Sequence, residues 1–110
     1  LYVIDIRDRE VKKRVPIGFP ATDVEVLESK GKLYVANFLG HEVKVIELDS
    51  FEVVKEVEVG SGPREISITP DGKEAWVAVH NIDNVSVIDT ERDEVVKNFY
   101  LYDKVVGDMP

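Results

Sequence analysis

The feature that most constrains this chain is a repeat. Displaced by 42 positions the sequence falls back on itself: Tyr34 on Trp76, Val35 on Val77, Ala36 on Ala78, Val43 on Val85, Val45 on Val87 and Ile46 on Ile88. The run EVVK at 52–55 returns unchanged at 94–97. The opening segment carries half of the same unit, with Val3 and Ile4 matching Val45 and Ile46, and Glu10, Val11, Lys13, Val15 and Gly18 matching Glu52, Val53, Lys55, Val57 and Gly60. A fixed period of this length marks a supersecondary unit that cannot bury its apolar face alone and stacks on copies of itself.

Within one period the apolar residues form four short runs. The first is Val24 to Leu27 in one copy and Ile66 to Thr69 in the next. A tight turn follows, ESKGK or PDGK, with Gly31 or Gly72 free to adopt positive φ. The second run is LYVA (33–36) or AWVAV (75–79), the third VKVIEL (43–48) or VSVIDT (85–90), and the fourth 53–59 or 95–101. Composition says which element these runs build. Val is 20 residues and Ile 8, against 4 Ala and 6 Leu, and β-branched side chains lose freedom in a helical turn but pack well on a pleated surface. The chain is therefore read as all-β.

Four antiparallel strands in roughly 40 residues is the pattern of a β-propeller blade. Inner strands covered on both faces should be continuously apolar, as LYVA, AWVAV and VKVI are. The fourth, outermost strand should carry charge that protects its edge, as Lys55, Glu56 and Glu58 or Lys12, Lys13 and Arg14 do. The expected organisation is the second half of a blade over 1–19, full blades over 20–62 and 63–105, and the loop to a next blade over 106–110. Closed propellers need about four to eight blades, so the propeller is incomplete in this chain. A fragment of a longer polypeptide is expected, ahead of an assembly of several chains or an open structure capped in another way.

The charge balance narrows the partners. There are 14 basic and 22 acidic residues, giving a net charge of −8. The longest basic run, Lys12 to Arg14, lies inside a strand pattern, so the clustered cations that phosphate backbones reward are absent and nucleic acid is not an expected partner. No apolar run approaches the length of a membrane span. Cysteine is absent, which removes disulfides and thiolate metal sites. Gln is absent while Glu (12) and Lys (9) are abundant, a balance associated with hyperthermophiles.

The segments KLYVAN, VGSGPREISITPDGKEAWVAV and VSVIDTERDEVV resemble the YVTN β-propeller repeats, and the resemblance covers essentially the whole chain. That family is common in archaeal and bacterial surface-layer and secreted proteins, so the resemblance implies an extracellular or cell-surface location. Its members range from scaffolds to calcium-dependent lactonases and haem- or copper-bearing oxidoreductases, so it implies a fold far more narrowly than a function.

Loops on a rigid scaffold host function. In a propeller the loops joining fourth to first strands share one rim with those joining second to third, here 18–23, 37–42, 60–65 and 80–84. Both histidines, His41 and His80, fall there. With Asp83 they are candidate metal ligands or acid–base groups; the simpler account is exposed loop residues of a repeated sequence. Asp23 and Glu65 precede the first strands, where carboxylates could face a hard cation or simply solvent. Phe19 and Phe38 are candidate exposed aromatic contacts, and Arg64 completes the rim set. In haem- and copper-bearing relatives a histidine often follows the proline of the Gly-Pro loop; here Ala21 and Arg64 stand at that position, so neither metal nor cofactor is expected. Tyr34 and Trp76 occupy matching places and are read as packing between blades. No nucleophile elbow, Ser-His-Asp order or phosphate loop occurs. The expected function is a binding or scaffold protein whose rim loops meet a protein, glycan or small ligand, with the rest of the ring supplied by the same polypeptide or by other chains. The alternative is part of a propeller enzyme, hydrolase or oxidoreductase, whose catalytic residues lie outside these blades.

Overall fold

A computed structural model describes residues 1–18 and 20–101. Among them are ten strands, all paired antiparallel, in three sheets. β1 (Tyr2–Ile4) pairs with β2 (Val11–Arg14). β3 (Ala21–Leu27), β4 (Lys32–Asn37), β5 (Glu42–Glu47) and β6 (Val53–Glu58) form a four-stranded meander in chain order. β7 (Pro63–Ile68), β8 (Glu74–Val79), β9 (Asn84–Asp89) and β10 (Glu94–Tyr100) form a second. The turns foreseen at ESKGK and PDGK close with Gly31 at φ 65° and Gly72 at φ 72°, where the missing Cβ removes the left-handed penalty. Phe19 and the closing GDMP loop lie outside the described residues.

The strand period of two divides each sheet into two faces, and both faces of the first full sheet are covered. Tyr34, Ala36, Val43 and Val45 pack against Ile66, Ala75, Val77 and Ile88 of the second full sheet. Leu33, Val35 and Ile46 pack the other way, against Val15, Ile17 and the partly buried Leu1 and Val3. This double burial is why β4 and β5 read as continuous apolar runs rather than alternating ones.

One expectation changes. Tyr34 is fully buried between the two full sheets, but its repeat partner Trp76 is 39% exposed and stacks on Phe99, the ring centroids 5.5 Å apart. Trp76 stands on the face of the second full sheet that points away from the first, and among the described residues no further sheet covers that face.

The outer strands are exposed as expected and share a device that the sequence does not reveal. Their pairings skip one residue at Lys12, Val54 and Val96, one β-bulge per repeat in the same register. A bulge at this place twists a free edge away from other chains.

Candidate functional site

A second set of repeated bulges builds the rim. In β3 the ladder runs from Ala21↔Asn37 to Asp23↔Ala36, and in β7 from Pro63↔Val79 to Glu65↔Ala78. Thr22 and Arg64 are the extra residues, one in each sheet and 42 positions apart. Bulges re-aim a side chain that regular pairing would fix. Here they bring Thr22 and Arg64 into one open cleft of about 340 Å³, whose other walls are Pro20, Phe38 and Leu39. The cleft spans the junction of the two full sheets, and the Thr22 hydroxyl donates to the Pro63 carbonyl across it at 3.4 Å.

The cleft wall is held in place by close backbone approach. Gly62 has φ +85°, and a Cβ there would lie 3.0 Å from the Phe38 ring and 2.9 Å from the Asn81 amide. Only glycine lets the GSGP loop pass under Phe38. The same loop is tied to the next turn, since His80 N–H donates to the Gly62 carbonyl at 2.8 Å and Asn81 Nδ2 donates to Ser61 Oγ at 2.9 Å. Phe38 is half-buried against this loop, while Leu39 at the loop tip is 60% exposed.

Of the described rim residues singled out from sequence, Phe38 and Arg64 meet in this cleft and the other five do not. Asp23 lies within β3 and is spent on backbone: Oδ1 accepts from Val24 N–H and Oδ2 from Ile66 N–H of the next sheet, each at 2.8 Å. Glu65, its repeat partner, lies within β7 and faces His80, with Oε1 3.6 Å from Nε2 and both side chains largely in solvent. His80 stands in register with Phe38, not with His41. The true counterpart of His41 is Asp83, and both are left-handed, at φ 61° and 46°. Their carbonyls accept matching hydrogen bonds, from Val59 N–H at 3.2 Å and Leu101 N–H at 2.8 Å. Asp and His are among the non-glycine residues that tolerate this conformation best, which accounts for both residues as turn formers. His80 and Asp83 border a separate pocket with Asn84 and Leu101. Among the described residues no three His, Asp or Glu side chains gather as a metal site would require.

Sequence reasoning missed the opposite end of the same junction. There Lys32 Nζ lies 2.8 Å from Asp93 Oδ2, the Tyr34 hydroxyl donates to Asp93 Oδ1 at 2.6 Å, and Lys30 Nζ donates to Thr90 Oγ1 at 2.9 Å. Burial, then the hydrogen bond to and charge of Asp93, push the Tyr34 phenol well above its usual range. Lys30, Lys32 and Asp93 border an open pocket of about 330 Å³ with Glu47 and Asp49, but their polar atoms are already paired, whereas at the rim, among the described residues, Arg64 makes neither an ion pair nor a side-chain hydrogen bond.

No family model and no curated protein matches the chain. Solved structures do. Hydrazine synthase of Kuenenia stuttgartiensis superposes with a TM-score of 0.82 and 33% identity, over 88% of this chain and 28% of that one. The dihydro-heme d1 dehydrogenase NirN gives 0.79 and 22% identity, over 89% and 22%. A β-propeller domain from Myceliophteria thermophila gives 0.67 and 14% identity, over 79% and 26%. The fold is that of a β-propeller. Each four-stranded sheet is a blade, and this chain spans less than a third of the length of each of these structures.

Proposed function

We propose that these blades act as a binding scaffold, part of a larger ring, whose rim holds its ligand at the junction between blades. The observation that carries this reading is the pair of matched bulges, Thr22 and Arg64, turned into one cleft with Phe38 and Leu39. The cleft is concave and mostly apolar with few polar groups, the usual composition of a ligand site. Amide NMR of the protein during titration with a set of small aromatic and aliphatic compounds tests it. Saturable shifts gathered on Thr22, Phe38, Leu39 and Arg64 are expected; shifts scattered elsewhere, or none, overturn the reading.

The likeness to two enzymes, one at 33% identity, favours a second reading in which the blades belong to an oxidoreductase whose catalytic residues lie in other blades. A visible absorption spectrum of the whole protein separates the two: a haem or copper chromophore supports the enzyme, and a colourless protein removes that form of it. The repeat itself is assigned to the YVTN type, on the register of KLYVAN, PDGKEAWVAV and VSVIDT. That assignment carries the proposal of a cell-surface or extracellular location.

A further inference from the structure

We propose that the rim cleft selects a small carboxylate with an apolar body, the carboxylate on the Arg64 guanidinium and the body against Phe38, Leu39 and Pro20. The inference rests on the rim-binding reading above and names its ligand class. Three observations carry it.

Among the described residues Arg64 is the only cation lining the cleft, where it stands exposed on the β7 bulge. The ion pairs of lysine are made by Lys12, Lys30, Lys32 and Lys44; Arg64, like the other arginines, has no acidic partner among the described residues, so its guanidinium fork is free for an outside carboxylate. The two acids adjacent to the bulge residues are engaged elsewhere, Asp23 by two backbone N–H groups and Glu65 facing His80.

The charge count sets the ligand's charge. One guanidinium offers a planar fork that matches a carboxylate in bidentate fashion. A phosphate dianion or a polyanion would call for several donors, and this cleft has one cation and a Thr22 hydroxyl already donating to Pro63. The apolar walls set the rest. Phe38 is half-buried and its ring lies close against Gly62, which leaves its other side as an apolar wall for the ligand body. A volume of about 340 Å³ suits a single ring or a short aliphatic chain and lies at the small end of known ligand pockets. That size favours a small molecule over a protein segment.

The experiment uses phenylacetate and its neutral isostere phenylacetamide, titrated into the protein and into Arg64→Gln, with amide NMR as readout. Phenylacetate is expected to move the Thr22, Phe38, Leu39 and Arg64 amides saturably. Loss of a charge-assisted hydrogen bond should weaken it about tenfold or more in R64Q, while phenylacetamide binds both proteins equally weakly. Arg64→Lys, which keeps the charge without the fork, should fall between. Equal affinity for the two compounds, or unchanged phenylacetate affinity in R64Q, overturns the carboxylate proposal and leaves the rim site standing. If neither compound moves rim amides in a protein with a native spectrum, the carboxylate proposal falls, and the rim reading falls with it when the wider compound set also leaves those amides unmoved. A hydrophobic, acidic peptide that moves these amides while phenylacetate does not would also overturn it, in favour of a protein partner.

Discussion

The Tyr34 hydroxyl, on the second strand of one blade, donates at 2.6 Å to the carboxylate of Asp93 on the turn before the outer strand of the next. Lys32 joins the same carboxylate at 2.8 Å, with the side chains of both Lys32 and Asp93 largely buried. A hydrogen bond to a charged acceptor contributes about 1.5–3 kcal/mol. Tyr34→Phe, which keeps the ring in the core, should therefore lower unfolding stability by about that amount in urea titration. A change below about 0.5 kcal/mol would mean that apolar packing alone joins the blades here.

The same contact gives an alkaline signature. The Tyr34 phenol titrates above its ordinary value in the fold because burial and Asp93 both oppose the phenolate. In the unfolded chain it ionises near its usual value, so the unfolded state binds fewer protons above that point and stability falls as pH rises. Stability should be unaffected by this group below about pH 10 and decline above it, and the decline should be shallower in Y34F. Absorbance titration should show one tyrosine that ionises only as the protein unfolds, and that step should be missing from the variant.

A cross-strand position shows the repeat solving one problem in three ways. Lys44 faces Glu42 at 3.0 Å and Glu56 at 3.1 Å. Ser86, its partner 42 positions on, sits in a neutral hydrogen-bonded set with Asn84 and Asn98. In the half blade Arg14 lies over the Tyr2 ring at 5.6 Å. Burial pushes the Lys44 ammonium down, but Glu42 and Glu56 more than offset this and hold its pKa above the ordinary lysine value, so this contribution is present through neutral pH and lost at strongly alkaline pH. Lys44→Ser alone leaves two carboxylates facing each other and should cost about 1–2 kcal/mol. The triple change E42N/K44S/E56N copies the other blade and should cost less than the single one. A triple variant less stable than K44S would show that the sets are not interchangeable.

Gly62 and Gly31 both have positive φ, at +85° and +65°. Only Gly62 has neighbours in the way, the Phe38 ring and Asn81 amide, while a Cβ at Gly31 meets nothing within 4 Å. Gly31→Ala should cost about 1 kcal/mol from backbone conformation alone. Gly62→Ala should cost more, about 2–3 kcal/mol, and should displace Phe38 and weaken ligand binding at the rim. Equal costs would place Phe38 away from the loop.

His80→Ala should shift stability by no more than about 0.5 kcal/mol, since its side chain is exposed, while His41→Asn, which keeps a residue suited to positive φ at that turn, should do the same. A larger loss, read by thermal melting, would mean that one of them holds a contact beyond the weak approach of His80 to Glu65.

Much of the fold was legible because the repeat gives each strand two witnesses. Runs such as LYVA and AWVAV predict buried strands on periodicity alone, and the glycines of ESKGK and PDGK mark their turns. The ladders begin earlier than the apolar runs, at Ala21 and Pro63 instead of Val24 and Ile66. A bulge carries no apolar signature, and Thr22 and Arg64 look like loop residues until their pairing is known. The candidate site was legible only as a set of rim segments. Phe38 and Arg64 stood out by residue type, whereas Thr22, Leu39 and Pro20 enter through the geometry of the junction. The two histidines share the rim but not a repeat position: in register His41 matches Asp83, and a left-handed turn position accepts either.

The account rests on the sheets being propeller blades that stack face to face, with Trp76 on the face that meets a further blade. Trp76 is the only tryptophan in these 110 residues, so in this chain by itself the fluorescence reports on that face alone, and in the whole protein the component lost on Trp76→Phe does. That component is expected to be blue-shifted and weakly quenched by acrylamide in the whole protein, with free quenching in the 110-residue chain by itself, where Trp76 is 39% exposed. Free quenching of Trp76 in the whole protein would contradict the account, because the face would then be open to solvent rather than joined to the rest of a ring.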